Sequence, residues 1–577
     1  MTDSETQYDF IIVGSGPAGC CTARGLANSL ARPSVLLVEA GGENNNPTQR
    51  VIGNQFVQML DPSQINPYES SSQDHLAGRK IGLTRGKGLG GSTAVNFTAW
   101  TIGPKDDWET MAELTGDPDW NWKNSKRRFR QLETYHDKTP EVPEGMRKYL
   151  DPRSENHGYS GPLHIGFEHK WDHYTTSMLE IWEQNGYPIN TDMGNGDCLG
   201  ISIVPKTMHR GTRATAADLL YPKPDNLHVR TNSPVHRVVF DGKRAVGISL
   251  LDGTVLNAKK EVILSAGSLD TPKILMHSGI GPSDQLSNFG IQQLLINPSV
   301  GQNYKDHYHV ALKYARAEHT DTVTAFFRSK ALQEAAMREW ELYRTGHYVT
   351  AGTTMNMGFF KSPAVIESKE FNGLPEKEKR RLQQPSIPTY EVATLGISPE
   401  YYTAPDTTPP LLSILVFVHN TQGNGSVQLT SADPAQPLTF NPAFASHPYD
   451  ERVIIESTKE VLKVTSSDAF KRDAHPTQAE FDVPASDSDE DILDFWRKNC
   501  TSTWHMSGTC RMGRSENDNA VVDPSFRVFG VTGLRIADLS VMPIIASSHT
   551  QSTAYQVGMI AAEKLIAEYK LNGNAML

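Results

Sequence analysis

Two stretches of this chain carry residues at a spacing that could do chemistry together. Ile11-Ile12-Val13 runs into Gly14-Ser15-Gly16-Pro17-Ala18-Gly19 and a helical pattern, and Glu39 ends a second apolar run, Val35-Leu36-Leu37-Val38. That order suits a dinucleotide. Gly14 permits a tight turn after the strand, Gly16 lets backbone approach a pyrophosphate, and Gly19 lets the helix pack close to the sheet with its N-terminus aimed at the phosphates. Glu39 is placed to accept hydrogen bonds from a ribose 2′-OH, and an acid there repels a 2′-phosphate, which disfavours NADP. A second glycine-dense segment, Arg85-Gly86-Lys87-Gly88-Leu89-Gly90-Gly91-Ser92-Thr93-Ala94-Val95-Asn96, allows close backbone approach to a planar or anionic ligand.

These residues need a scaffold, and the hydrophobic patterning supplies one. The opening reads as strand, glycine turn, helix, strand, followed by a loop at Asn44-Asn45-Asn46-Pro47. Trp108 to Asp137 has helical spacing, Tyr149 to Gly161 reads as loop, and a helix is expected over Gly211 to Leu220. Strands are expected over Leu227 to Thr231, Val235 to Phe240, Ala245 to Leu250 and Glu261 to Ala266, with Asp252-Gly253 as a hairpin turn, as a meander inserted between parts of the nucleotide domain. Val262 to Ala266 then runs through Gly267 into a helix begun near Pro272, a crossover that fits a doubly wound sheet. From about Asp306 to Phe495 the composition shifts. A helix over Lys330 to Tyr343, a solvated charged helix face over Glu376 to Arg381, and strands near Leu411 to His419 and Ser426 to Leu429 predict an antiparallel sheet with helices on one face. Strands over Val528 to Val531 and Leu534 to Asp538 and a long helix over Gln551 to Tyr569 return to the first domain. The expected fold is thus a Rossmann-like, doubly wound α/β domain over 1–160, 200–305 and 496–577, with a second α+β, substrate-binding domain over 161–199 and 306–495.

Bulk properties narrow the function. With 577 residues the chain is expected to form two to four domains, and 38% hydrophobic with 21% charged residues is ordinary for a globular protein. A net charge of -11 gives no basic excess for nucleic acid or an anionic membrane, and there is no run of 18 apolar residues to span a bilayer. Small molecules are the expected partners. Met1 to Thr6 leaves no room for a secretory signal before the first strand. Five cysteines, Cys20, Cys21, Cys198, Cys500 and Cys510, lack metal-ligand spacing, so no metal is expected and they read as reduced packing residues of an intracellular, cytoplasmic protein. Asn574-Ala575-Met576-Leu577 shares only its last residue with the peroxisomal Ser-Lys-Leu address, which leaves peroxisomal import as the lesser alternative.

Several motifs in register resemble the glucose-methanol-choline (GMC) flavin oxidoreductases. They are the Gly14 turn with Glu39; Gly90-Gly91-Ser92 with Asn96; Ser265-Ala266-Gly267 through Pro272 to Ser278-Gly279-Ile280-Gly281-Pro282; and Val300-Gly301-Gln302-Asn303 with Asp306-His307. The series closes with His505, Gly508-Thr509-Cys510-Arg511-Met512-Gly513 and Asp538-Leu539-Ser540-Val541-Met542-Pro543. The resemblance implies FAD, with Gly14, Ser15, Gly16 and Gly19 at the pyrophosphate and Glu39 at the adenosine ribose. It places Gly91, Ser92 and Asn96 along the flavin end, Val235 near the adenine edge, Asp538 on the sugar-phosphate side, and His549, Thr550 and Gln551 at the isoalloxazine. Some members attach FAD through a histidine after the paired glycines. Val95 stands at that position here, so the flavin is expected to be non-covalent.

The resemblance also implies that His505 and His549 form the pair facing the flavin N5. Oxidising an alcohol requires loss of the hydroxyl proton as hydride leaves the carbon, and histidine, with an ordinary pKa near 6.5, can take that proton near neutrality. His505 is then the general base and His549 the group that holds the substrate oxygen and, as imidazolium, stabilises the developing alkoxide. His307 is expected to pack at a hinge. Phe326, Phe327, Trp340, Tyr343, Phe359, Phe360 and Phe417 are candidates for the substrate wall. The expected activity is that of a flavoprotein alcohol oxidase, turning a primary alcohol into an aldehyde and O₂ into hydrogen peroxide. A dehydrogenase using a quinone or other acceptor, an oxidase of a small acid such as formate, a hydroxynitrile lyase and a non-enzymatic nucleotide-binding protein are the alternatives. Two histidines argue against formate, since a carboxylate favours arginine.

Overall fold

The first apolar runs form β1 (Gln7–Val13), α1 (Pro17–Asn28) and β2 (Val35–Val38), with Pro17 opening α1 where its missing N–H costs nothing. The computed structural model describes residues 7–137, 144–168, 171, 173–320, 323–350, 355–396, 409–477 and 479–572; the expectations for Met1 to Thr6 and Asn574 to Leu577 lie outside the described residues. β2 is buried along its whole length, as a strand within a covered parallel sheet must be.

β3 (Leu227–Arg230), β4 (Val235–Asp241), β5 (Arg244–Leu250) and β6 (Val255–Leu264) join the same sheet, ordered β3–β2–β1–β6–β5–β4, with the strand Leu534–Ile536 parallel beside the end of β6. Pairing is parallel from β3 through β1 to β6 and antiparallel from β6 to β4. The expected meander forms from β4, β5 and β6, which pair antiparallel in order, and is corrected at its first strand and at the place where it joins the sheet. β3 pairs with β2 at the far edge, and Val262 to Leu264 of β6 sit between β1 and the C-terminal strand, because their continuous apolar run can only be buried in the middle of the sheet. α2 (Gln551–Glu568) packs on α1, and a Cβ on Gly558 would stand 2.3 Å from the Ala18 carbonyl oxygen.

Three other local expectations change. Gly211 to Leu220 forms a two-residue strand and a 3₁₀ turn, Ala216–Leu220, because Thr215 and Asp218 make a capping box that starts the turn only at Ala216, and Pro222, which lacks an N–H, follows its end. The helix after β6 starts at Gly267 rather than near Pro272, since Asp538 Oδ2 takes the Gly267 N–H at 2.9 Å and the Thr271 hydroxyl at 2.6 Å. Val528 to Val531 makes turns, and only Leu534–Ile536 pairs as a strand.

The second sheet is antiparallel and ordered β8–β9–β10–β7, where β7 is Tyr308–Ala315, β8 Asn356–Phe360, β9 Tyr390–Leu395 and β10 Leu411–Val418. Helices form over Lys330–Tyr343 and Glu376–Leu382. Among the described residues no helix is long and apolar enough to cross a membrane.

One buried charge braces the helical segment to the loop that follows. His157 faces Glu133 Oε2 at 3.2 Å and Asp192 Oδ1 at 3.0 Å and stacks on Tyr135 at 3.6 Å. Burial opposes the imidazolium, yet the two carboxylates raise its pKa to about 9. Asp192 is held down to about 2, against the effect of its own burial, chiefly by His157, whereas burial raises Glu133, so Asp192 is the counter-ion. A histidine raised above its unfolded value stabilises the fold fully below pH ~6.5 and loses that contribution as pH climbs through about 9. His157→Gln is therefore expected to lower Tm most at pH 6, with a gap to wild type that narrows by pH 9.5; an equal gap at both pH values would count against the charge.

Candidate active site

The glycine turn and the glycine-dense loop meet face to face. Gly14 adopts φ +101° and a Cβ there would lie 2.3 Å from the Ser265 carbonyl oxygen, while a Cβ on Gly91, φ +53°, would lie 2.8 Å from Gly16 Cα. Gly90 N–H donates to the Ser15 carbonyl at 3.1 Å, which ties the two loops. Gly16 has open space beside its Cα, so its backbone faces a cavity of about 980 Å³ lined by both sheets. Every site residue named from the sequence lines this cavity except Gly19. Gly19 sits behind the turn, where a Cβ would stand 1.9 Å from the Gly14 carbonyl oxygen, so its smallness serves packing of helix on turn.

Glu39 is more occupied than expected. Its Oε2 accepts from Ser15 N at 3.0 Å and Ser15 Oγ at 2.6 Å, and its Oε1 from Gly41 N at 2.8 Å and Gly88 N at 3.0 Å. All four acceptor positions of the carboxylate are taken. A ribose hydroxyl would replace the rotatable Ser15 hydroxyl. Asp538, beyond its bonds to Gly267 and Thr271, accepts from Ser540 N at 2.8 Å. Asn96 donates to Gln551 Oε1 at 3.0 Å and is itself held by Arg213, a buried guanidinium that also reaches the Thr93 and Asn96 carbonyls.

At the other end His505 and His549 face each other, ring centroids 4.8 Å apart. The loop bearing His505 is fixed by Asp306, whose Oδ1 accepts the His505 N–H at 2.7 Å and whose Oδ2 accepts Ser502 Oγ at 2.6 Å. Burial raises the Asp306 carboxyl to about 7 against these bonds. His505 Nδ1 lies 3.0 Å from His307 Nδ1. His307 thus touches the reactive pair instead of packing at a hinge, and its ring lies 4.1 Å from that of His419. His549 Nε2 lies 2.9 Å from Oε1 of Glu391, whose Oε2 lies 2.8 Å from His419 Nε2. Burial pulls against the Glu391 carboxylate, yet His549 and His419 hold it down to about 2. His505 is pushed the opposite way. Burial, then His549, His419, Arg85 and His309, hold it well below the ordinary imidazole range, so it stays neutral. Arg85, an unassigned loop cation in the sequence, lines the cavity and donates to the Trp504 carbonyl at 2.6 Å.

Sequence reasoning missed Glu391, His419 and Arg213. The signal for Glu391 is a single acid inside Tyr390–Leu395, a strand otherwise free of charge and buried throughout. Of the proposed substrate-wall aromatics only Phe417 lines the cavity. Phe326, Phe327, Trp340 and Phe359 are buried in a separate hydrophobic cluster with it, Phe360 packs on Trp182, and Tyr343 is exposed.

A mixed sheet whose parallel part ends in a glycine turn, opening on a cavity that also holds two facing histidines, has the form of a dinucleotide-dependent redox protein. The family model for GMC oxidoreductases matches residues 8–309 with its N-terminal part and 421–558 with its C-terminal part, and the chain belongs to this family. It is 30% identical to pyranose dehydrogenase 3 of Leucoagaricus meleagris, with 98% of this chain and 94% of that protein covered. It is 28% identical to the oxygen-dependent choline dehydrogenase of Brucella ovis, over 98% and 96%. A formate oxidase structure of Aspergillus oryzae RIB40 superposes with a TM-score of 0.87 at 26% identity, covering 98% of this chain and 99% of that one. The protein is an FAD-dependent oxidoreductase acting on CH–OH donors. The residues present fit that cofactor: Gly16 and Gly91 leave bare backbone where phosphates need it, at the N-terminus of α1.

Proposed function

We propose that the protein oxidises a primary alcohol to an aldehyde and passes the electrons to O₂, releasing H₂O₂. The observation that carries this reading is the pair of facing histidines, His549 hydrogen-bonded to the buried Glu391 and His505 kept neutral by its burial. Bound FAD supplies the hydride acceptor. His505 takes the hydroxyl proton at Nε2, which has no hydrogen-bond partner among the described residues. That role requires its hydrogen on Nδ1, donated to His307 Nδ1. His549 keeps Nε2–H on Glu391 and presents Nδ1 to the substrate oxygen, and the carboxylate behind it fixes the orientation of that ring. Neither position of the reactive pair is an arginine, Arg511 is turned to the Asp518 and Asn519 carbonyls, and Arg85 gives Nη1 to the Trp504 carbonyl, which favours an alcohol over an acid such as formate.

The test is anaerobic bleaching of the flavin by alcohols, followed by an aerobic peroxide assay. No bleaching by any alcohol overturns the alcohol reading, and turnover only with a dye overturns the oxidase. The dehydrogenase reading, with a quinone or other acceptor, draws its support from the pyranose dehydrogenase relative. We further propose that FAD is held non-covalently. Val95, which lines the cavity, offers no nucleophile. Acid precipitation is therefore expected to leave free yellow flavin in the supernatant; colour retained in the pellet would refute it. A cytoplasmic location is proposed with this reading, supported by five buried, unbridged cysteines.

A further inference from the structure

We infer that the substrate is an apolar alcohol, a carbinol carrying a hydrocarbon body, as opposed to a sugar or a quaternary amine; this rests on the alcohol reading above. The register of the second sheet arranges the residues of one face in rows. The first row, His309, Phe417, Glu391 and Phe359, holds the groups behind His549. The next row, one pleat repeat or about 7 Å farther along the strands, is Ala311, Leu415, Ala393 and Met357. That row carries no side-chain donor or acceptor. Lys313 and Ser413 appear only in the third row, where Leu395 and Met355 complete the face, and Lys313 meets Asp482 at 3.3 Å.

Phe56 and Phe97, in edge contact at 5.1 Å, line the same cavity and pack against the same hydrophobic cluster as Leu415. Thr501 and Thr503, which also line the cavity, stand beside His309 in the first row, so a carbinol carbon between His505 and His549 has hydrocarbon on the sheet face once its substituents reach the second row. A pyranose would leave its remaining hydroxyls there without partners, which costs about 1–3 kcal/mol for each buried group. A quaternary ammonium finds aromatic rings in Phe56, Phe97 and Phe417 but no free carboxylate to balance its charge. The acids among the lining residues, Glu39, Asp270 and Asp538, all belong to the nucleotide half, where Ser15, Tyr68 and Gly267 hold them, and Glu391 is shared by two histidines.

The test uses the flavin-loaded protein and normal alcohols from ethanol to octanol, with glucose and choline, read as the rate constant for anaerobic flavin reduction per unit concentration. Full burial of each methylene predicts a rise of about fourfold per carbon until the row is filled. Leu415→Asn should flatten that dependence and lower octanol at least tenfold, with the flavin spectrum retained as the check on folding. A flat or falling series, or glucose or choline reducing faster than octanol, overturns the inference and leaves alcohol oxidation standing. No reduction by any alcohol, sugar or choline overturns the reading beneath it as well.

Discussion

His505→Ala is expected to lower kcat/KM by roughly 10²- to 10⁴-fold, the usual contribution of a positioned general base, while the flavin remains bound. The argument is geometric before it is electrostatic. His505 stands at the cavity wall with its backbone pinned by Asp306 and its Nδ1 engaged by His307, which leaves one nitrogen for substrate. Its neighbours keep it neutral, so the form able to accept a proton is present throughout the working range. Because the residue lies far along the cavity from the glycine turn, flavin content and Tm report folding separately. Partial rescue by added imidazole is the expected signature. Undiminished rates with bound flavin would remove His505 from the chemistry.

Glu391→Gln is expected to cost about 10- to 100-fold in kcat/KM at pH 8, the worth of a charge-assisted hydrogen bond to a buried partner. Glutamine preserves the volume and one acceptor and removes only the charge. The sign with pH follows from the carboxylate, which is depressed below its unfolded value: its stabilising interaction is present above about pH 4.5 and is lost as pH falls toward about 2. In the wild type the anion behind His549 is thus constant from pH 5 to 9. The variant lacks that anion at every pH in this window, so the deficit should hold from pH 5 to 8. A variant as active as wild type would show that the charge of Glu391 plays no part in the chemistry.

The nucleotide half was legible because each of its early elements announces itself locally: apolar β1 and β2, the glycines between them, and Pro17 at a helix start. Its closure was less so. β3 read as a member of the meander that β4, β5 and β6 do form, since a short apolar run carries no record of which strand it will lie beside. The reactive pair was reached through resemblance, and His307 was visible beside Asp306 without its partner, because His505 lies 198 residues later. Glu391 escaped because burial and register are tertiary facts. Its carboxylate gains meaning only when β9 turns that face toward the loop before α2. Gly211 to Leu220 misled for a local reason: a capping box at Thr215 starts the turn late and Pro222 stops it soon after, so its alanines have no room for a helix.

The central position of β6 has a consequence for how the chain is made. β1 pairs with residues about 250 positions downstream, and Thr22 of α1 bonds the Gly558 carbonyl, 536 positions away. Two strands and a helix are therefore made well before the partners that cover them, which follow about 250 and 536 residues later. Contacts of such separation form slowly, and until they form the apolar faces of β1, β2 and α1 are open to other chains. The same stitching that brings distant segments to one cofactor makes the covering of these elements a late step of assembly.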